Sequence, residues 1–256
     1  CREHDCSGCG VCDFDEIMPQ LNEPVGATTA TQNGPEGSTG ERLPDEAFER
    51  FELSYSKLGP ARFFGHLELA TIVRRAFRRA GLAVKYSRGF NPSMRLSFDS
   101  ALPVGMESEH ETLTVFLEKG TDCRRITSLL NAELPEGLAV TGCRRVSKKS
   151  RPPEQLSVYQ VYLSPGRVAQ ADVDRVMAAE SLILEDRSKK GKVRTTDLRT
   201  ALQAMEIKNG QILEISLEKY NQRTIRPSDI LIHGLGFSEE EMMAVRIKKI
   251  IKEPPC

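Results

Sequence analysis

One segment of this chain reads as a helix that can be buried on only one side. Leu69, Ile72, Val73, Ala76, Phe77 and Ala80 recur at intervals of three and four residues, and Gly81 supplies the stop. Arg74, Arg75, Arg78 and Arg79 fall on the other face. Such a helix must lay its apolar stripe on another layer. Its flanks offer a sheet. From Phe48 onward ERFELSYSK has strand character, LAVKYS and MRLSFDS read as short strands around the loop RGFNPS, and ETLTVFLEK alternates apolar with polar residues. CRRITSLLNAEL follows as a second helix and GLAVTGCRRVS as a closing strand.

The order is β-α-β-β-α-β, the ferredoxin-like pattern. A similar order recurs after the basic joint KKSRPP. QLSVYQVYLS reads as a strand, ADVDRVMAAE as a helix, and SLILEDRS and ILEISLEKY as strands with the helix-like TTDLRTALQAM between them. Residues 227–236 form a helix or turn, and MAVRIKKIIKE closes as a strand. The expected class is α+β, with two ferredoxin-like halves packed side by side over residues 48–150 and 151–256. A disordered cysteine-containing leader precedes them: a metal-binding-like tail at 1–14 and a flexible acidic linker at 15–47, rich in Gly, Pro, Thr, Asn and Glu.

Charge is distributed unevenly. The 256 residues sum to zero, yet residues 1–49 hold eleven acids against Arg2 and Arg42. From Lys57 to Arg95 the basic residues are Lys57, Arg62, Arg74, Arg75, Arg78, Arg79, Lys85, Arg88 and Arg95, with Glu68 the only acid, a local charge of +8. Positive charge concentrated beside glycine-bracketed loops suits a polyanion, because each phosphate neutralised releases condensed counterions. Four arginines without interleaved glutamate also differ from an ordinary solvated face, which carries acid partners one turn away.

The loop Ser87–Ser93 adds an aromatic. Phe90 either stacks on a base, with Arg88 and Asn91 hydrogen-bonding beside it, or anchors the loop in the core. His66, at the start of the arginine helix, either contacts phosphate, acts as a general acid or base, or packs locally. No partner for it is evident, so His66 is a candidate only and no catalytic residue is assigned. A second basic run, Arg187, Lys189, Lys190, Lys192 and Arg194, reads as a hairpin tip or as a phosphate clamp facing the first patch.

Cys1, Cys6, Cys9 and Cys12 have the spacing C-x4-C-x2-C-x2-C with Gly8 and Gly10 between them. Close thiolates on glycine turns suit a tetrahedral zinc or an iron–sulfur cluster. Cys123, Cys143 and Cys256 are scattered and read as two packing residues and a terminal thiol. The chain has no apolar run of membrane-spanning length and no charged-then-apolar leader of the secretory type, which points to a reduced, cytoplasmic setting. It begins with Cys1 rather than Met and reads as a fragment.

The stretch SKLGPARFFGHLELATIVRRAFRRAGLAVKYSRGFNPSMRLSFDSALPVGMES resembles the radical-SAM-linked domain of unknown function. That bacterial family is found beside, or fused behind, a radical S-adenosylmethionine protein. The likeness is specific over residues 53–115 and looser through KKGKVRTTDLR to the last strand, and CSGCGVC resembles the cysteine-rich tail of the radical SAM partner. Where the family pattern has His-Pro and a Lys, this chain has Ser93 and Arg95, so a second histidine is absent. The radical SAM motif C-x3-C-x2-C is absent as well. The resemblance implies an RNA context, with S-adenosylmethionine reached only through the partner. The expected function is an RNA-binding accessory domain for tRNA or rRNA, with no DNA preference, acting with a radical SAM modification enzyme. The alternatives are a metal-independent RNA endonuclease using His66 and a protein-docking domain for that partner.

Overall fold

Alternation builds the first strand. In β1 (Phe48–Lys57), Phe51, Leu53 and Tyr55 are buried while Arg50, Glu52 and Ser54 stand on the other face. The apolar stripe of α1 (His66–Arg79) closes over that face, burying Leu69, Ala70, Val73, Ala76 and Phe77. The first half continues with β2 (Leu96–Phe98), β3 (Met106–Glu118), α2 (Cys123–Glu133) and β4 (Leu138–Arg145). Asp122 caps α2, its carboxylate accepting from the Arg125 amide at 3.1 Å. Gly137 makes the turn into β4 with φ 85°; a Cβ there would lie 2.3 Å from the Leu58 carbonyl oxygen, so only glycine fits.

The computed structural model describes residues 43–146, 156–187, 191, 193–218 and 225–251, and the described residues from Pro44 onward belong to one compact unit. The second half comprises β5 (Ser157–Tyr162), α3 (Gln170–Ala178), β6 (Ile183–Arg187), β7 (Val193–Asp197), β8 (Leu202–Lys208), β9 (Ile212–Leu217), α4 (Pro227–Leu235), α5 (Glu239–Ala244) and β10 (Arg246–Ile250). The class is α+β, as the sequence leads one to expect. No helix among the described residues is long and apolar enough to cross a membrane.

Strands of both halves enter one eight-stranded sheet in the order β4-β1-β3-β10-β5-β9-β8, with β2 also on β3. Pairing within each half is antiparallel, and the halves meet through the parallel pair β3–β10. β3 is long enough to change partner along one edge. Met106 to Ser108 pair with β10, and Leu113 to Val115 pair with β2. Two cores result, one of Phe51, Leu53, Phe77, Val115 and Ile126 and their neighbours, the other of Val161, Leu198, Leu213, Ile215 and Ile230 and theirs. At the first core, Cys143 Sγ lies 2.8 Å from Cys123 Sγ; burial and that contact push the Cys143 thiol up.

Two segments depart from the sequence reading. TTDLRTALQAM is not a helix: it ends β7, makes a 3-10 turn at Leu198–Thr200 and begins β8. The apolar spacing is real, since Leu198, Ala201, Leu202 and Met205 are all buried. Asp197 caps the short turn, and a register shift between Leu202 and Ala204 resets the strand so that both Leu202 and Met205 face the core. LAVKYS forms only isolated bridges, Val84 to Leu117 and Tyr86 to Met94, because β2 already occupies the adjoining edge of β3.

Candidate nucleic-acid interface and a charged cleft

The α1 arginines fall into two groups. Arg75 and Arg78 are exposed and have no carboxylate partner among the described residues. Arg74 is half-buried, its Nε enclosed without a hydrogen-bond partner among them. Arg79 is engaged with α2, donating to Glu133 Oε2 at 2.7 Å and to the Glu133 carbonyl at 2.6 Å.

α1 leads through Leu82–Tyr86 into the aromatic loop. Phe90 is fully exposed, between exposed Arg88 and Asn91. The core-anchor reading of Phe90 is therefore corrected. The loop is instead held at its base, where the Ser87 amide donates to the Ser93 carbonyl and the Ser93 amide to Ser87 Oγ. Gly89, with φ 139°, lets the backbone turn at the tip. Arg95 is exposed and stacks over Phe116.

The +8 of the segment is not all available, because acids from elsewhere reach it. Asp45 accepts from Lys85 and from Arg88, both at 2.9 Å. The Lys85 hydrogen bond, with the charges of Arg88, Lys85 and Arg95, holds the Asp45 carboxyl below its usual range. A carboxylate thus already neutralises part of the basic face. Asp45→Asn is expected to strengthen polyanion binding at this face by about threefold, because exposed Arg88 is released while Lys85 stays largely buried; polarisation with labelled tRNA checks this.

Arg62 lies 3.8 Å from Glu107 and over the Phe63 ring. Lys57 leaves the surface set altogether, since it is 1% exposed and its Nζ donates to the Phe64 carbonyl at 2.9 Å. Burial lowers the pKa of its ammonium, against the charge of Glu111. His66 is exposed and sets its ring edge-on to Phe98, 5.3 Å away, with no base or carboxylate bonded to it among the described residues. Arg194 is exposed on β7. Lys189, Lys190 and Lys192, like Cys1, Cys6, Cys9 and Cys12, lie outside the described residues.

A second feature lies at the seam between the halves, where β3 changes partner. Between the pairs Tyr55–Glu111 and Lys57–Ser108, β3 carries one more residue than β1, a bulge that turns Ser108 and Glu111 toward each other. Glu111 is 3% exposed. Its Oε1 accepts from Ser108 Oγ and from Lys249 Nζ, each at 2.9 Å, and its Oε2 from Ser100 Oγ at 2.8 Å. Beside it opens a cleft of about 320 Å³ bounded by the β2–β3 loop, β5, the end of β9 and the start of α4. Tyr159 lines it, its hydroxyl pushed up to about 12 by burial and by Glu111.

Three ion pairs join β3 to β10 here: Glu107 with Arg246, Glu109 with Lys248 and Glu111 with Lys249. Sequence reading missed this site. Its signal was the alternation of Glu107, Glu109 and Glu111 in MESEHE and the cations of RIKK, but the partners are separated by 138 and 139 residues at the two hydrogen-bonded pairs.

Fold and surface together define an α+β protein with a basic, aromatic-tipped face and a charged cleft at the seam of its halves. The chain belongs to the family described as "Uncharacterized protein conserved in bacteria (DUF2344)", whose model matches residues 50–227. No curated protein matches it. Among solved structures, the crystal structure of an unknown protein from Galdieria sulphuraria aligns at 13% identity, covering 79% of this chain and 97% of that one, with a TM-score of 0.26.

Proposed function

We propose that this chain is an RNA-binding accessory domain, for tRNA or rRNA, that acts with a radical SAM modification enzyme. The observation that carries the RNA part is Phe90, held wholly in water between Arg88 and Asn91. An exposed aromatic ring can serve as a stacking platform for a base, with Arg88, shared with Asp45, beside it. Arg75 and Arg78 extend the surface from α1.

Phe90→Ala is expected to weaken binding of unpaired RNA by about 1–3 kcal/mol without changing thermal stability. Fluorescence polarisation and a melting curve check the two halves of that statement. Crosslinking the protein to cellular RNA and sequencing what is recovered tests the function itself. Enrichment of tRNA or rRNA supports it, and recovery no better than a non-binding control defeats it.

The partnership with a radical SAM enzyme rests on the resemblance of residues 53–115 and on the cysteines. Four thiolates, from Cys1, Cys6, Cys9 and Cys12, are a donor set for zinc or for an iron–sulfur cluster. Protein purified without oxygen is expected to carry iron or zinc that Cys6→Ser with Cys9→Ser removes, as read by elemental analysis.

A further inference from the structure

The seam cleft has a lining that sorts by chemistry. Its walls are apolar: Leu102 and Pro103 come from the first half, Tyr159, Leu217 and Ile225 from the second. Its floor is polar, with the Glu111 carboxylate among Ser100 and Lys249. At its edge stands exposed Arg226, the residue that precedes α4, and Pro227 of that helix's first turn also lines the opening. The Arg226 guanidinium thus stands at one side of the mouth, while the start of α4 is closed by its own cap, the Arg226 amide donating to the Asp229 carboxylate at 3.2 Å.

That combination rejects several ligands. A bare anion placed inside would face Asp99, Glu111 and Glu218. An acyl chain would strand the same three carboxylates and two cations against hydrocarbon. A divalent cation would need three converging ligands, and no such group exists among the described residues. A flat heterocycle with donors and acceptors on its edge suits both zones, because its faces cover the apolar walls while its edge meets the floor. A phosphate on the same molecule would reach the Arg226 guanidinium at the mouth. The volume of about 320 Å³ lies at the lower end of the range for small-ligand sites.

We propose that the cleft takes one nucleotide, its base between the apolar walls and its phosphate at Arg226. The nucleotide is either a residue extruded from bound RNA or a free mononucleotide; only the first source rests on the RNA-binding reading. Extrusion from a single strand is inexpensive, since little pairing is lost.

The test uses the full chain, the four ribonucleoside 5′-monophosphates titrated by calorimetry, and labelled homopolymers of about ten nucleotides followed by polarisation. Ala101→Trp fills the cleft from an exposed loop position and should leave the fold intact; Arg226→Glu alters only the mouth. If the source is RNA, Ala101→Trp weakens homopolymer binding by at least about fivefold and erases any base preference. If the source is a free nucleotide, at least one monophosphate binds, Ala101→Trp abolishes that binding, Arg226→Glu weakens it, and homopolymer affinity is unchanged. Homopolymer binding that neither variant alters, with no monophosphate bound, overturns the cleft assignment and leaves the RNA reading standing. Absence of homopolymer binding together with monophosphate binding does the reverse, and absence of both removes the two together.

Discussion

Replacing Glu107 with alanine is expected to destabilise the protein by about 1–3 kcal/mol, the cost of leaving the part-buried Gly59 donor unsatisfied. The Glu107 side chain is 0% exposed, but its partner Arg246 is half-exposed and can turn to water. Glu107 accepts from Arg246 Nε at 2.7 Å and from the Gly59 amide at 2.8 Å, with Arg62 3.8 Å away. Alanine leaves the Gly59 N–H and two guanidiniums without their acceptor at the joint where β3 meets β10. Glu107→Gln keeps the size and part of the hydrogen bonding, so it should lose less. Urea denaturation measures both, with a shifted midpoint and an unchanged slope expected.

The same residue makes a prediction about pH. Burial alone would raise the Glu107 carboxyl, but the Arg246 hydrogen bond, the Gly59 amide and the charges of Arg246 and Arg62 hold it below its usual range. A carboxyl depressed in the folded state contributes stability above its unfolded pKa of about 4.3, and loses that contribution as pH falls through the folded value. The stability gap between wild type and Glu107→Gln should therefore be full near neutrality and shrink under acid. A gap that widened on acidification would contradict the ion-pair account.

Reversing the charge of Arg75 and Arg78 together, to glutamate, is expected to lower RNA affinity by about a hundredfold at roughly 0.15 M salt. Losing two phosphate contacts accounts for about tenfold at that salt, and two introduced carboxylates repel the same phosphates by a comparable amount. Both positions are exposed on α1 and outside its buried stripe, so stability should fall by no more than about 1 kcal/mol, the part from Arg78 reflecting its place in the last turn, where a cation suits the helix dipole. Arg79→Glu serves as the contrast. Arg79 already holds Glu133, so its substitution should disturb the α1–α2 contact more than RNA binding. An equal loss of affinity from Arg79→Glu would mean that the α1 arginines act as one undivided patch.

The helical period made α1 and its arginine face readable, because a stripe at Leu69, Val73, Ala76 and Phe77 fits a helix and no strand. Strand alternation did the same for β1 and β3. In the segment Leu198 to Met205 the period was equally clear yet misleading, since a capped 3-10 turn followed by a bulged strand places those residues in the core just as a helix would. Composition located the basic segment but not its neutralisation. Asp45, Glu107 and Glu133 reach it only through folding, and a local sum over sequence cannot register them. The seam cleft was out of reach for a related reason: its floor pairs Glu111 with Lys249, 138 residues further along the chain.

Salt-titrated affinity for RNA tests the central claim most directly. The purified chain is titrated with tRNA, with rRNA fragments and with duplex DNA of matched length, across salt from about 0.05 to about 0.2 M. Binding of tRNA or rRNA is expected to fall linearly on logarithmic axes, by about 0.7 in slope for each unpaired phosphate contacted, with no preference for DNA. No measurable binding of either RNA, or an affinity that stays flat as salt rises, would contradict it.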